Sequence, residues 1–179
     1  MTRLLLLMRH AKSDWNDFGL IDKERPLSTR GRATAPIMAK WLFETHQIPN
    51  IVLCSAAIRT QQTLDLMFQK WTAMQIANPN LLLPQVIVED RLYLASESLI
   101  LSVARSGAAG RFVMVLGHNP GLEHLASKLN ESDVVMPTGS VAIFASAAED
   151  GEWPTDWGNS KMWKWRGLVK PRELGLETI

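Results

Sequence analysis

Arg9-His10 stands where the apolar run Leu4, Leu5, Leu6, Leu7, Met8 stops, and His118 follows a second apolar run, Arg111 to Leu116. Two buried-strand signals that each deliver a histidine to a strand end predict one shared catalytic pocket. A neutral imidazole is a competent nucleophile near neutral pH and can accept a phosphoryl group, provided fixed positive partners hold the phosphoryl oxygens. Arg9 and Arg59 suit that role, because the planar guanidinium fork donates paired hydrogen bonds to phosphate where lysine offers only a point charge. Arg59 lies in Ser55-Ala56-Ala57-Ile58-Arg59-Thr60, at the predicted first turn of a helix, where free backbone N–H groups and the helix dipole also favour an anion.

The elements that must position these residues alternate short apolar runs with longer helical patterns, the signature of an α/β fold with a mostly parallel sheet. Predicted strands are Leu4 to Met8, Ile51 to Cys54, Gln85 to Val88, Phe112 to Leu116, Val141 to Ala145 and Trp163 to Val169. The first helix has Ser28 as its N-cap and an apolar stripe of Ile37, Met38, Trp41 and Leu42, with Pro36 expected to kink it or mark its start. Leu64, Met67, Phe68 and Trp71 give the second helix its i, i+3, i+4, i+7 spacing, and Ser55 is its expected cap. A third helix is predicted over Glu97 to Arg105 and a fourth over Leu122 to Leu129. Ligands of such sheets gather at the carboxyl ends of strands, where Arg9, His10, Ser55 and His118 all fall.

Composition narrows the setting. The 179 residues, 46% of them apolar, predict one domain over 1–179 with one substantial core and no linker. The balance of 19 basic against 18 acidic residues gives no bulk electrostatic reason to expect nucleic acid or a membrane as partner, so an anion site must be built locally. Cys54 is the only cysteine, which favours a reducing compartment, the cytoplasm. The apolar stretch after Arg3 is too short for a secretory signal, and no run approaches the ~20 residues that span a bilayer. A metal reading of the two histidines is disfavoured, since spacing such as His-x-x-x-His is missing and the neighbouring arginines repel cations.

The segment Arg9-His10-Ala11-Lys12-Ser13-Asp14-Trp15-Asn16 resembles the signature of the histidine phosphatase superfamily, the group containing phosphoglycerate mutases and acid phosphatases. The similarity continues through Ser55-Ala56-Ala57-Ile58-Arg59-Thr60-Gln61-Gln62-Thr63 and Gly117-His118-Asn119-Pro120-Gly121. Within the superfamily the chain looks most like the short, uncapped SixA-type phosphohistidine phosphatases, to which Arg25-Pro26-Leu27, Arg30-Gly31-Arg32 and Pro137-Thr138-Gly139-Ser140 are also similar. These blocks cover most of Leu4 to Phe144 in order.

The resemblance implies a three-layer, phosphoglycerate mutase-like fold and a metal-independent phosphatase with no cofactor. His10 would be the phosphorylated nucleophile, with Arg9, Arg59 and His118 clasping the phosphoryl group and Ser13 and Asn16 binding substrate. The partner would be a phosphorylated protein or a small phosphorylated substrate. Ala11 replaces the superfamily's usual glycine. No residue after the third strand, in Glu89-Asp90-Arg91-Leu92-Tyr93-Leu94-Ala95-Ser96-Glu97, matches the acid that protonates the leaving oxygen in mutases. An alkoxide needs that proton, whereas a phosphoimidazole protonated on its far nitrogen leaves as neutral imidazole, so the missing acid points toward phosphoramidate substrates. Two readings stand beside this one: a small-molecule phosphatase or mutase-like enzyme, favoured by Ser13, Trp15 and Asn16, and a phosphoryl-binding module without turnover. Lys12 and Asp14 read as solvated loop charges, Arg25 and Arg30 as structural contacts, His46 and His124 as surface residues. Trp153, Trp157, Trp163 and Trp165 read as core packing and loop anchoring.

Overall fold

Residues alternate along the first strand between two cores, and that alternation organises the molecule. In a computed structural model, which describes residues 2–16, 19–148 and 151–175, Leu4, Leu6 and Met8 of β1 (Leu4–Arg9) face one apolar cluster and Leu5 and Leu7 face the other. A strand covered on both sides has no polar positions, which is why β1 reads as an unbroken apolar run. The first cluster is closed by α1 (Thr29–Glu44) and α2 (Ile58–Ala77), through Met38, Leu42, Met67 and Trp71. The second is closed by α3 (Glu97–Ser106) and α4 (Gly121–Asn130), through Ile100, Val103, Leu122 and Leu125. The result is the expected three-layer α/β sandwich.

Six strands form one sheet. They are β1, β2 (Ile51–Ser55), β3 (Gln85–Glu89), β4 (Phe112–Gly117), β5 (Val141–Ser146) and β6 (Trp163–Val169), in the order β3-β2-β4-β1-β5-β6. The pairs β2/β3, β2/β4 and β1/β4 are parallel, while β5 runs antiparallel to both β1 and β6. Each predicted strand forms, but β3 lies at the sheet edge with Val86, Ile87 and Val88 at 39%, 38% and 54% exposure. On the other edge, a register shift between Ile143 and Phe144 accompanies Gly167 at φ 129° in β6. Trp163 is buried there with Trp157, and Trp165 packs on Phe144.

The expected Ser28 cap of α1 forms, whereas Pro36 as the start of α1 and Ser55 as the cap of α2 are corrected. α1 begins at Thr29, with Ser28 Oγ accepting from Gly31 N at 3.2 Å, and carries Pro36 in its interior. A capped first turn ahead of the proline, not the proline, sets the start. Ser55 does not cap α2: it remains the last residue of β2, Ala57 occupies the N-cap without a side-chain bond, and Thr60 Oγ1 donates to the carbonyls of Ser55 and Ala57. The Ser55 hydroxyl is engaged elsewhere.

Candidate active site

Strands β2, β4 and β1 are neighbours in the sheet and end at one level. Arg9 pairs with Gly117, Cys54 with Leu116, and His10 N donates to Gly117 O at 3.1 Å. Parallel register therefore sets His10, His118 and Ser55 side by side at the carboxyl edge, as expected of such a sheet. The turn after β1 is pinned from three directions. Ala11 N donates to Thr63 Oγ1 of α2 at 3.1 Å, Ser28 N donates to Lys12 O at 2.9 Å, and Gly139 N donates to His10 O at 2.9 Å. Gly31 permits this closeness, since a Cβ there would lie 2.1 Å from Lys12 O. Gly139 sits at φ 80°, and its Cβ would lie 2.7 Å from Thr34 Cγ2.

The His10 ring is held in one tautomer. Its Nδ1–H donates to Ala11 O at 2.7 Å, so Nε2 carries the lone pair, and Arg59 Nε donates to that atom at 3.3 Å. Burial pushes its pKa down to about 4; the Ala11 hydrogen bond opposes this, and the nearby charges of Arg59 and Arg9 add to the lowering. The imidazole is neutral near neutral pH with a nucleophilic nitrogen beside a guanidinium. His118 lies with its ring centroid 5.2 Å away. Its Nε2 meets Ser55 Oγ at 2.8 Å, and burial followed by the Arg59 charge lowers its pKa to about 3. Among the described residues the Ser55 hydroxyl has no other partner; when it donates to Nε2, the His118 proton sits on Nδ1, the nitrogen left without a partner.

Both arginines are fixed. Arg9 Nη1 donates to Met136 O at 2.8 Å, and burial lowers its pKa. Arg59, 4% exposed, donates through Nη2 to Asp22 Oδ2 at 2.9 Å and through Nη1 to Asp22 O. Among the described residues, three of the four buried side-chain polar atoms without a partner belong to this site: Arg9 Nε, His118 Nδ1 and Asn119 Oδ1. Buried polar groups are normally paired, so their concentration at one place marks a ligand site. They surround a cavity of about 310 Å³ that Arg9, His10, Arg59 and His118 line together.

Ser13 also lines the cavity, 7% exposed, with Oγ accepting from Arg25 Nη2 at 3.3 Å. Asn16 does not: it is exposed, its backbone N–H bonds Asp14 Oδ1, and it borders outer hollows beside Asp14. The polar position is therefore displaced from the histidines by the outward course of the loop. Arg25 is both a structural ion-pair partner, 3.1 Å from Asp22 Oδ1, and a cavity residue, its guanidinium 3.1 Å from the exposed Trp15 ring centroid. Lys12 lines the cavity as well.

Asp22 and Tyr93 escaped sequence reasoning. Burial would raise the Asp22 carboxyl, but hydrogen bonds from Tyr93 at 2.7 Å and from Arg59, with the charge of Arg59 and the Arg25 bond, hold it below its usual range. Burial, then the same bond, raises the Tyr93 hydroxyl. Asp22 is the one carboxylate among the described residues that lines the cavity, and it is an anion, not a stored proton. Glu97 lies elsewhere and pairs with Lys128 at 3.0 Å. No spacing signal tied Asp22 to a pocket built from strand ends. Its proximity to Arg25, three residues on, was the available hint.

Residues 5–81 match the model of the histidine phosphatase superfamily, branch 1, a span that includes Arg9, His10 and Arg59. An uncharacterised chloroplastic protein of Arabidopsis thaliana is 30% identical over 172 residues, covering 96% of this chain and 79% of the relative. The chain belongs to the histidine phosphatase superfamily. An uncharacterised protein of Mycobacterium tuberculosis is likewise 30% identical over 158 residues, 82% of this chain and 89% of its own. Among solved structures, the putative phosphohistidine phosphatase SixA from Agrobacterium tumefaciens superposes with a TM-score of 0.75 at 23% identity, covering 94% of this chain and 98% of that one. The protein histidine phosphatase SixA complexed with tungstate gives 0.74 at 22%, covering 96% and 99%. These likenesses establish a shared fold.

Proposed function

We propose that the protein is a phosphatase that hydrolyses phosphohistidine, or a related phosphoramidate, through a phosphohistidine intermediate on His10. The observation that carries this reading is the His10 ring: Nδ1–H bound to Ala11 O and an unprotonated Nε2 that faces Arg59. In the first step the Nε2 lone pair forms a bond to phosphorus while the substrate's P–N bond breaks in line, and its electrons leave with an imidazole already protonated on its far nitrogen. As Nε2 becomes bonded, the Arg59 N–H moves from that nitrogen to a phosphoryl oxygen. Arg9 Nε and the His118 Nδ1–H supply further donors, and such preorganised donors stabilise the transition state. In the second step water forms the new P–O bond, the N–P electrons return to Nε2, and the proton that water loses leaves with the phosphate.

Asp22 has no proton to give an alkoxide, which favours substrates whose leaving nitrogen needs none. The tungstate held by the similar SixA structure, a tetrahedral oxyanion, supports a phosphoryl ligand here. No helix among the described residues is long and apolar enough to cross a membrane, and the buried single Cys54 fits a reducing compartment such as the cytoplasm. The test is turnover of phosphohistidine and phosphoramidate against a panel of sugar phosphates, with label trapped in an alkaline denaturing quench, in which the P–N bond survives. Phosphoramidates turning over fastest, with trapped label lost in His10→Ala, is the expected result. Equal efficiency on alkyl monoesters would overturn the substrate class, and label persisting in His10→Ala the intermediate.

A further inference from the structure

A second hollow adjoins the cavity. Lys12, Arg30, Thr34, Pro137, Thr138, Lys170, Pro171 and Arg172 enclose about 150 Å³, and Lys12 and Thr138 line both spaces. Four of its lining residues are cationic in a chain whose net charge is only +1. Among the described residues, the carboxylate that pairs with one of them is Glu173, 3.7 Å from Lys170 Nζ. Lys12, Arg30 and Arg172 have no ion pair among the described residues. These three are exposed and solvated, and gathering like charges in one concavity gives a positive potential that attracts an anion.

The hollow is also built firmly. Ser28 caps the start of α1, which carries Arg30 and Thr34, and the contact of Gly31 with Lys12 O locks that start to the loop after His10. The short turn Pro171–Leu174 supplies the facing wall, and a Cβ on Gly139 would meet Thr34 and Pro171 within 3.0 Å. The same Pro137-Thr138-Gly139-Ser140 turn that holds His10 thus separates the two spaces.

We infer that this hollow is a second anion subsite, which receives a carboxylate or phosphoryl group carried by the same substrate whose phosphoryl group is transferred at His10. Guanidinium groups of Arg30 and Arg172 would bind it by charge-assisted hydrogen bonds, and Lys12 would bridge the two anions. The inference rests on the proposed phosphatase reading and adds to it a preference for acidic substrates. The second anion comes either from acidic side chains flanking phosphohistidine in a protein or from a second group on a small molecule.

The test compares the wild type with the double variant Arg30→Gln, Arg172→Gln on three kinds of substrate. Phosphoramidate carries no second anion. A phosphohistidine peptide is made with neutral or with aspartate neighbours, and a small phosphate ester with one or two phosphoryl groups. The wild type is expected to prefer one acidic member of these pairs by about tenfold in kcat/KM, through KM. The double variant should lose that preference while phosphoramidate turnover changes by less than about twofold. A preference among peptides identifies a protein source and one among esters a small molecule. No preference in the wild type, or a parallel fall on phosphoramidate, overturns the subsite. Calorimetric binding of the same peptides to His10→Ala, with and without the two further substitutions, reads the subsite without turnover, so its failure is distinct from failure of the phosphatase reading.

Discussion

At the scale of single residues, the site is a set of constraints on two imidazoles. Asp22 fixes the guanidinium of Arg59, which in turn touches His10 Nε2. Asp22→Asn keeps the shape and removes the charge that holds Arg59, so kcat should fall on the order of tenfold, equivalent to ~1.4 kcal/mol of transition-state stabilisation. Steady-state kinetics on phosphoramidate reads this, and an unchanged kcat would deny Asp22 a positioning role. Ser55→Ala frees the tautomer of His118 and should lower kcat/KM by about tenfold, the size of one lost hydrogen bond. Because His10 is held neutral down to about 4, the acid limb of kcat/KM should lie near that value, not near 6.5. The four principal residues were legible because each follows an apolar run or opens a helix within a recognisable block. Asp22 and Tyr93 were not, since Asp22 reaches the cavity, and Tyr93 the Asp22 carboxylate, from short turns whose place depends on packing alone. Asn16 lies off the cavity, a placement the sequence does not show because a position gives neighbourhood and not the direction in which a loop runs.

Strands and helices position those residues through contacts that a single methyl group would disturb. Gly31→Ala places a Cβ against Lys12 O, which should destabilise the protein by about 1–3 kcal/mol. The urea midpoint measures it, and a midpoint equal to wild type would show that the α1 start can shift freely. Periodicity made the elements readable: β1, β2 and β4 are apolar up to their last residues because both faces are covered, and α2 shows its stripe. It failed where two physical situations share one pattern. The apolar run of β3 reads like a central strand, although it lies on the edge with its side chains partly in water. Ser55 has the residue type of a cap but is claimed by His118, a partner 63 residues away.

For the molecule as a whole, the two buried imidazoles couple stability to pH. Unfolded histidines titrate near 6.5, whereas burial lowers His10 to about 4 and His118 to about 3. Between those limits the unfolded chain binds protons that the folded chain does not, so stability must fall as pH falls from 6.5 toward 4 and be insensitive to these groups above that window. Urea unfolding across the range reads the slope, which should flatten in His10→Gln/His118→Gln; an equal slope in the variant would show that other groups set it. The near-zero net charge hid a strongly cationic edge, because composition reports sums while the fold sorts Arg9, Arg25, Arg59 and Lys12 to one end of the sheet. The convergence of His10, Arg9, Arg59 and His118 on one phosphoryl group is most directly tested by a crystal structure of the protein with vanadate. The oxyanion should lie with vanadium in line with His10 Nε2 and its oxygens on Arg9, Arg59 and His118 Nδ1. Vanadate bound elsewhere, or approached by His10 through Nδ1, would contradict that account.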